Sequence, residues 1–179
     1  MKSTNLSIQK TAKIAGVSLL IMTIMSFIIF PSLQATTLSI IGIAIIIILD
    51  VVVAISLYII LKPSNENLSM IMALFRIVYA IIFTIALIKM PDLNAFTYIW
   101  ERGLLVFGFH LLLLGVLIYH SIYIPKWIGV LVVIASTGYI IDNIGTYFGY
   151  SLQIGMFTFI GEIILMLWLL IKGSKIQIS

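Results

Sequence analysis

The sequence predicts an all-α fold, a polytopic bundle of six transmembrane helices, and three observations carry that prediction. Of 179 residues, 63% are hydrophobic and only 9% are charged, with a mean hydropathy of +1.27. The apolar residues gather into six runs, each close to the ~20 residues that cross a bilayer at ~1.5 Å rise per residue. Turn residues separate the runs at short intervals. A soluble domain has roughly 45–50% apolar and about 25% charged residues, so lipid must be the solvent for most of this surface. The runs lack the period-two alternation of a transmembrane strand.

Lys2, Lys10 and Lys13 precede the first run, 14–30. That run is longer than the ~7–15-residue core of a signal peptide, and it is followed by a poor cleavage site, Pro31-Ser32-Leu33-Gln34-Ala35. It reads as a retained helix stopped by Pro31. The second and third runs, 38–61 and 68–88, flank Lys62-Pro63-Ser64-Asn65. Met90-Pro91-Asp92 opens the longest connection, 89–102, which has room for an interfacial turn of helix. The fourth run is 103–120, Ile124-Pro125-Lys126-Trp127 leads into the fifth, 128–148, and Gly149-Tyr150-Ser151 into the sixth, 153–171. Short loops predict antiparallel hairpins. No linker or low-complexity tract divides residues 1–179, which read as a single transmembrane domain.

Orientation follows from the basic residues. With the N-terminus inside, Lys2, Lys10, Lys13, Lys62, Lys126, Lys172 and Lys175 fall on the cytoplasmic side, against Lys89 and Arg102 outside. The bias predicts N-in/C-in, with both termini cytoplasmic and the cell membrane as the location. Tyr98, Trp100, Tyr119, Tyr123, Trp127, Tyr147 and Tyr150 lie near run ends, as an aromatic belt requires. The net charge of +4 does not indicate a nucleic-acid partner, because the basic residues stand singly between apolar runs. The bilayer is the expected partner.

Five ionisable side chains lie within the runs: Asp50, Arg76, His110, Asp142 and Glu162. Each costs ~2.5–3.5 kcal/mol or more in hydrocarbon, so they should face the bundle interior and find partners. Counted from the 62–67 turn, Asp50 and Arg76 differ in depth by only ~4–5 Å, which an Arg side chain spans as an ion pair. Counted from a turn near Ser151, Asp142 and Glu162 come out at nearly equal depth. Three acids against one Arg leave two negative charges uncompensated, so at least one of Asp142 and Glu162 is expected to carry a proton. The same residues also suit a packing role. Asp142 shares a face with Ala135, Gly138, Gly145 and Gly149, a small-residue stripe that lets helices approach. His110, between Gly108 and Gly115, reads as an interhelical hydrogen-bonding group.

Other chemistries find little support. There is no cysteine, which removes disulfides, thiolate nucleophiles and Cys-ligated metals. His110 and His120 are the only histidines, ~15 Å apart along one helix, so they cannot share a metal or haem. Met22, Met25, Met70, Met72, Met156 and Met166 read as apolar filling rather than copper ligands. The sequence holds no Gly-x-Ser-x-Gly, no Gly-x-Gly-Asp and no phosphate-cradling Gly loop. No metal or cofactor is expected.

Several strings resemble a bacterial membrane family, domain of unknown function 4386. They are Asp50-Val-Val-Val-Ala-Ile-Ser-Leu-Tyr58 with the Lys62-Pro63 turn, Ala73-Leu-Phe-Arg76, Phe109-His110-Leu-Leu-Leu-Leu-Gly115, Ile124-Pro-Lys-Trp-Ile-Gly129, Gly138-Tyr-Ile-Ile-Asp142 and Gly161-Glu162. The resemblance implies a multi-helix membrane protein and no particular activity. On the residues themselves, the leading expectation is a proton-linked carrier or channel-like module with a polar intramembrane core. It would work as a homo-oligomer or with a membrane partner, because six short helices enclose little room. The alternative is a non-catalytic accessory or sensor protein whose buried charges are structural. An intramembrane enzyme ranks third.

Overall fold

The computed structural model describes residues 2–150 and 152–176, without the side chains of 2–6, 32 and 156. Ser151 and the side chains of Lys2 and Met156, all used in reading the sequence, lie outside the described residues. The described architecture is all-helical and contains no strand. Its segments are α1 (Lys2–Ile29), α2 (Thr37–Leu61), α3 (Glu66–Ile88), α4 (Leu93–His120), α5 (Lys126–Tyr147), α6 (Gly155–Thr158) and α7 (Ile160–Lys172). Short 3₁₀ turns follow α1 at Phe30–Ser32 and α7 at Gly173–Lys175.

Helix starts follow from capping. The Thr36 hydroxyl accepts the Ser39 amide (3.2 Å), and the Asn65 side chain accepts that of Leu68 (3.0 Å). Asp92 accepts the amides of Asn94 and Ala95 (3.0 and 3.2 Å). Each satisfies donors that a helix N-terminus leaves open. Asp92 also explains why α4 begins at Leu93, well before residue 103. The connection 89–102 contains the first turns of that helix and not a separate interfacial piece.

Five helices are long and apolar enough to cross a membrane: α1 over Ser7–Ile29, then α2, α3, α4 and α5. The sixth expected helix is split into α6 and α7, which corrects the unbroken 153–171. Gly149, with φ of +84°, ends α5 in the left-handed region, and the Tyr150 amide returns to the Gly145 carbonyl (2.8 Å). Gln153 also has positive φ (+55°), and the chain folds back along α5. At the break, the Thr158 hydroxyl bonds the Ala135 and Gly155 carbonyls (3.4 and 3.5 Å), competing with helical continuation.

The neighbours are α1–α2, α2–α3, α3–α4, α4–α5, α5–α7 and α7–α1, so the helices close into a ring, with α6 against α5. Burial is arranged for lipid. Phe27 (61%), Leu38 (72%) and Ile88 (71%) are exposed, whereas Ser69, His110 and Ser136 are fully buried. Close approach depends on glycine: a Cβ on Gly129 would stand 2.7 Å from the Gly115 carbonyl oxygen, so α4 and α5 meet backbone to backbone.

Both termini lie at one end of the ring, where the Gln9 side-chain amide donates to the Ile176 carbonyl (2.9 Å). The α2–α3 and α4–α5 turns share that end, joined by the Tyr123 hydroxyl, which donates to the Ile60 carbonyl and lies 3.4 Å from the Ser64 hydroxyl. Burial pushes the Tyr123 phenol up from its ordinary pKa, against a smaller opposing effect of Ser64, so it keeps its proton.

Candidate functional site

Inside the ring, α2, α3 and α4 each supply one ionisable residue to a single chain of contacts. Asp50 and Arg76 are 1% and 2% exposed, and Asp50 Oδ1 lies 2.7 Å from Arg76 Nη2. The angle departs from a hydrogen bond, so this is a close charge pair. Arg76 Nη1 is 3.0 Å from His110 Nε2, and His110 Nδ1 is 2.9 Å from the Met72 carbonyl. A guanidinium only donates, so Nε2 must accept and the ring proton sits on Nδ1, where it donates to Met72. The geometry therefore holds His110 as a neutral imidazole. The guanidinium also lies over the Phe107 ring, 5.3 Å from its centroid.

This chain is closed but not complete. Asp50 Oδ2 and Arg76 Nε are buried without a hydrogen-bond partner among the described residues. An aromatic wall surrounds them. Tyr79, one turn beyond Arg76 on the same face, accepts the Trp100 indole N–H (3.2 Å) and packs on Phe107 at 4.9 Å between ring centroids.

Glu162 enters from the first turn of α7. The residue is half-buried, yet its Oε1 is sealed from solvent with no hydrogen-bond partner among the described residues. The groups that act on its carboxyl are Arg76, the Tyr139 hydroxyl and Asp50. Arg76 thus pairs directly with Asp50 and lies within electrostatic range of Glu162 without a direct ion pair to it.

Asp142 belongs elsewhere. Its Oδ1 accepts the Ile154 amide and its Oδ2 the Gly155 amide, both at 2.7 Å. The expected Asp142–Glu162 carboxylate pair is therefore not formed. Gly161 lies against Leu131, which places Glu162 roughly 16 Å along α5 from Asp142 at ~1.5 Å per residue. The chain turns at residue 148, earlier than 151, and folds back along α5, which shifts the whole register. Asp142 instead anchors the start of α6 with two charge-assisted bonds.

Sequence reasoning does not single out Tyr79 or Tyr139, and it assigns Trp100 to the interfacial belt rather than to this site. The signal for Tyr79 was its i+3 spacing from Arg76, and for Tyr139 its place in mid-run, away from the interfacial belt.

The sequence profile described as Domain of unknown function (DUF4386) matches residues 31–97 and 92–173, which include Asp50, Arg76, His110, Asp142 and Glu162. An uncharacterised protein of Archaeoglobus fulgidus is 54% identical over 156 residues, covering 87% of this chain and 96% of the relative. That relative is archaeal, so a bacterial source does not follow from the comparisons. No solved structure matches the chain.

Proposed function

We propose, for a chain that belongs to the family described as Domain of unknown function (DUF4386), a proton-linked carrier or channel-like module of the cell membrane. The proton is held at Glu162. One observation carries this reading: Arg76, already paired with Asp50, is the cation within electrostatic range of a second carboxyl group, the half-buried Glu162, whose Oε1 has no hydrogen-bond partner among the described residues. Two carboxylates against one guanidinium leave a negative charge in a low-dielectric interior, and a proton on Glu162 removes it. The Tyr139 hydroxyl beside Glu162 supplies a partner for either protonation state. The end with both termini faces the cytoplasm in this reading, supported by Lys10, Lys13, Lys62, Lys126, Lys172 and Lys175 against Lys89 and Arg102 at the other end.

The second reading, an accessory or sensor protein with structural charges, draws on the closed Asp50–Arg76–His110–Met72 chain, which locks three helices without a mobile charge. Proton flux separates the two. Liposomes holding the protein and a trapped pH dye should acidify faster than protein-free liposomes under an inward-driving potential. Glu162→Gln should remove the difference and Asp142→Asn should keep it. Wild-type liposomes as tight as empty ones would favour the structural reading.

A further inference from the structure

At the end that carries both termini, an open cleft of about 800 Å³ lies between the α4–α5 turn and the end of α7. Three lysines line it from different elements: Lys126 at the first residue of α5, Lys172 at the last of α7, and Lys175 in the final 3₁₀ turn. All three are exposed, and none pairs with a carboxylate among the described residues, where the ion pairs are Lys62–Glu66 and Arg76–Asp50. Lys126 rests over the Tyr119 ring at 5.5 Å, an arrangement that leaves its positive charge uncompensated. Among the described residues, the lining thus concentrates positive charge with no counter-charge of its own.

A second, smaller groove of about 170 Å³ adjoins the cleft, and His120 lines both. Apart from His120 and Tyr119, its walls are Val116, Gly129, Val130 and Val133, between α4 and α5. Val130 is 46% exposed, so the groove opens on the face that meets lipid. His120 Nδ1 is bound to the Val116 carbonyl (2.8 Å), which leaves Nε2 for a ligand. Trp168, half-buried, lines the cleft at the interfacial level where indole rings settle. A free phosphate would match the lysines but leave the valine groove empty. A phospholipid fills both, its headgroup among the lysines and an acyl chain along the valines.

We propose that the cleft and its valine groove form one site for an anionic phospholipid. The lysines hold the phosphate of its headgroup at the end of the bundle that carries both termini. This site is separate from the Glu162 core, so either proposal can fail without the other. Juxtamembrane lysines attract anionic lipid by a long-range effect that salt screens, but a cleft adds selection among molecules.

The test uses the full chain in detergent, with native mass spectrometry counting bound phosphatidylglycerol against phosphatidylcholine. Wild-type protein should bind the anionic lipid about tenfold more tightly. The triple change Lys126→Gln, Lys172→Gln, Lys175→Gln should erase that preference, and the Lys→Arg triple should restore it. Inorganic phosphate should leave the bound lipid in place. Equal binding of the two lipids, an unchanged preference in the Gln triple, failure of the Arg triple to rescue, or displacement by phosphate alone would each overturn the proposal. Salt titration of the wild-type complex provides a check free of any folding defect: the preference should fall as salt rises, and a salt-independent preference would also count against it.

Discussion

Arg76 is the residue on which the interior turns. It is 2% exposed, bound to Asp50 on one side and His110 on the other, with Phe107 across its face. Removing one member of such a pair leaves an uncompensated buried charge, a loss of ~3–5 kcal/mol, whereas replacing both by apolar groups of similar size is often neutral. Asp50→Leu and Arg76→Met should therefore each lower the unfolding temperature in detergent sharply, and the double variant should lie closer to wild type than either. His110 limits this rescue. With Arg76 gone, His110 Nε2 loses its donor, which costs ~1–3 kcal/mol for an unsatisfied buried acceptor. The Asp50–Arg76 pair was legible in the sequence because the 62–67 turn is tight and capped by Asn65, so counting residues from it gave the right depth. The neighbours that complete the site were not legible, since a Tyr in an apolar run looks the same whether it points to lipid or to Glu162.

At the scale of elements, the departure from expectation lies after α5. Hydropathy gave a sixth run of the right length, but hydropathy does not register backbone direction. Gly149 and Gln153 both adopt positive φ, and the chain returns along α5 to meet Asp142. A carboxylate mid-run, read as one half of an acid pair, is the anchor of a broken helix. Broken helices at membrane depth leave backbone amides that need partners, and Asp142 satisfies two. An Asn side chain has one acceptor oxygen where Asp has two. Asp142→Asn should thus free one of the Ile154 and Gly155 amides at a cost of about 1 kcal/mol. Hydrogen exchange should show faster exchange at one of those two amides, with α2 and α3 unchanged. Equal protection in the variant would mean that packing, not the carboxylate, holds α6.

On the scale of the whole molecule, the bundle is a ring closed by α7 against α1, with Asp50, Arg76 and His110 turned inward within the helices and large apolar residues such as Phe27, Leu38 and Ile88 exposed on the outer face. Composition alone specified that inversion, because the bilayer rewards it everywhere along the chain. The seam between α4 and α5 depends on two facing glycines. Gly129→Ala would place a methyl group 2.7 Å from the Gly115 carbonyl oxygen and force the helices apart. Overpacking of this kind costs ~1–3 kcal/mol, which thermal unfolding in detergent would show as a lowered midpoint. The chain has no cysteine, so single cysteines introduced at Lys89 and Lys175 report sidedness against a clean background. In intact cells, a membrane-impermeant maleimide should label Lys89→Cys and spare Lys175→Cys. The reverse pattern would invert the proposed orientation.

Whether Glu162 takes up and releases a proton bears most directly on the account. Infrared difference spectroscopy of the protein in lipid, titrated from about pH 4 to about pH 9, reads the carbonyl stretch of a protonated carboxyl group. A carboxyl band that titrates reversibly in wild type and in Asp142→Asn, and vanishes in Glu162→Gln, is the expected result. A spectrum with no such band across the range, or one that persists without the Glu162 carboxyl, would contradict a proton-binding core.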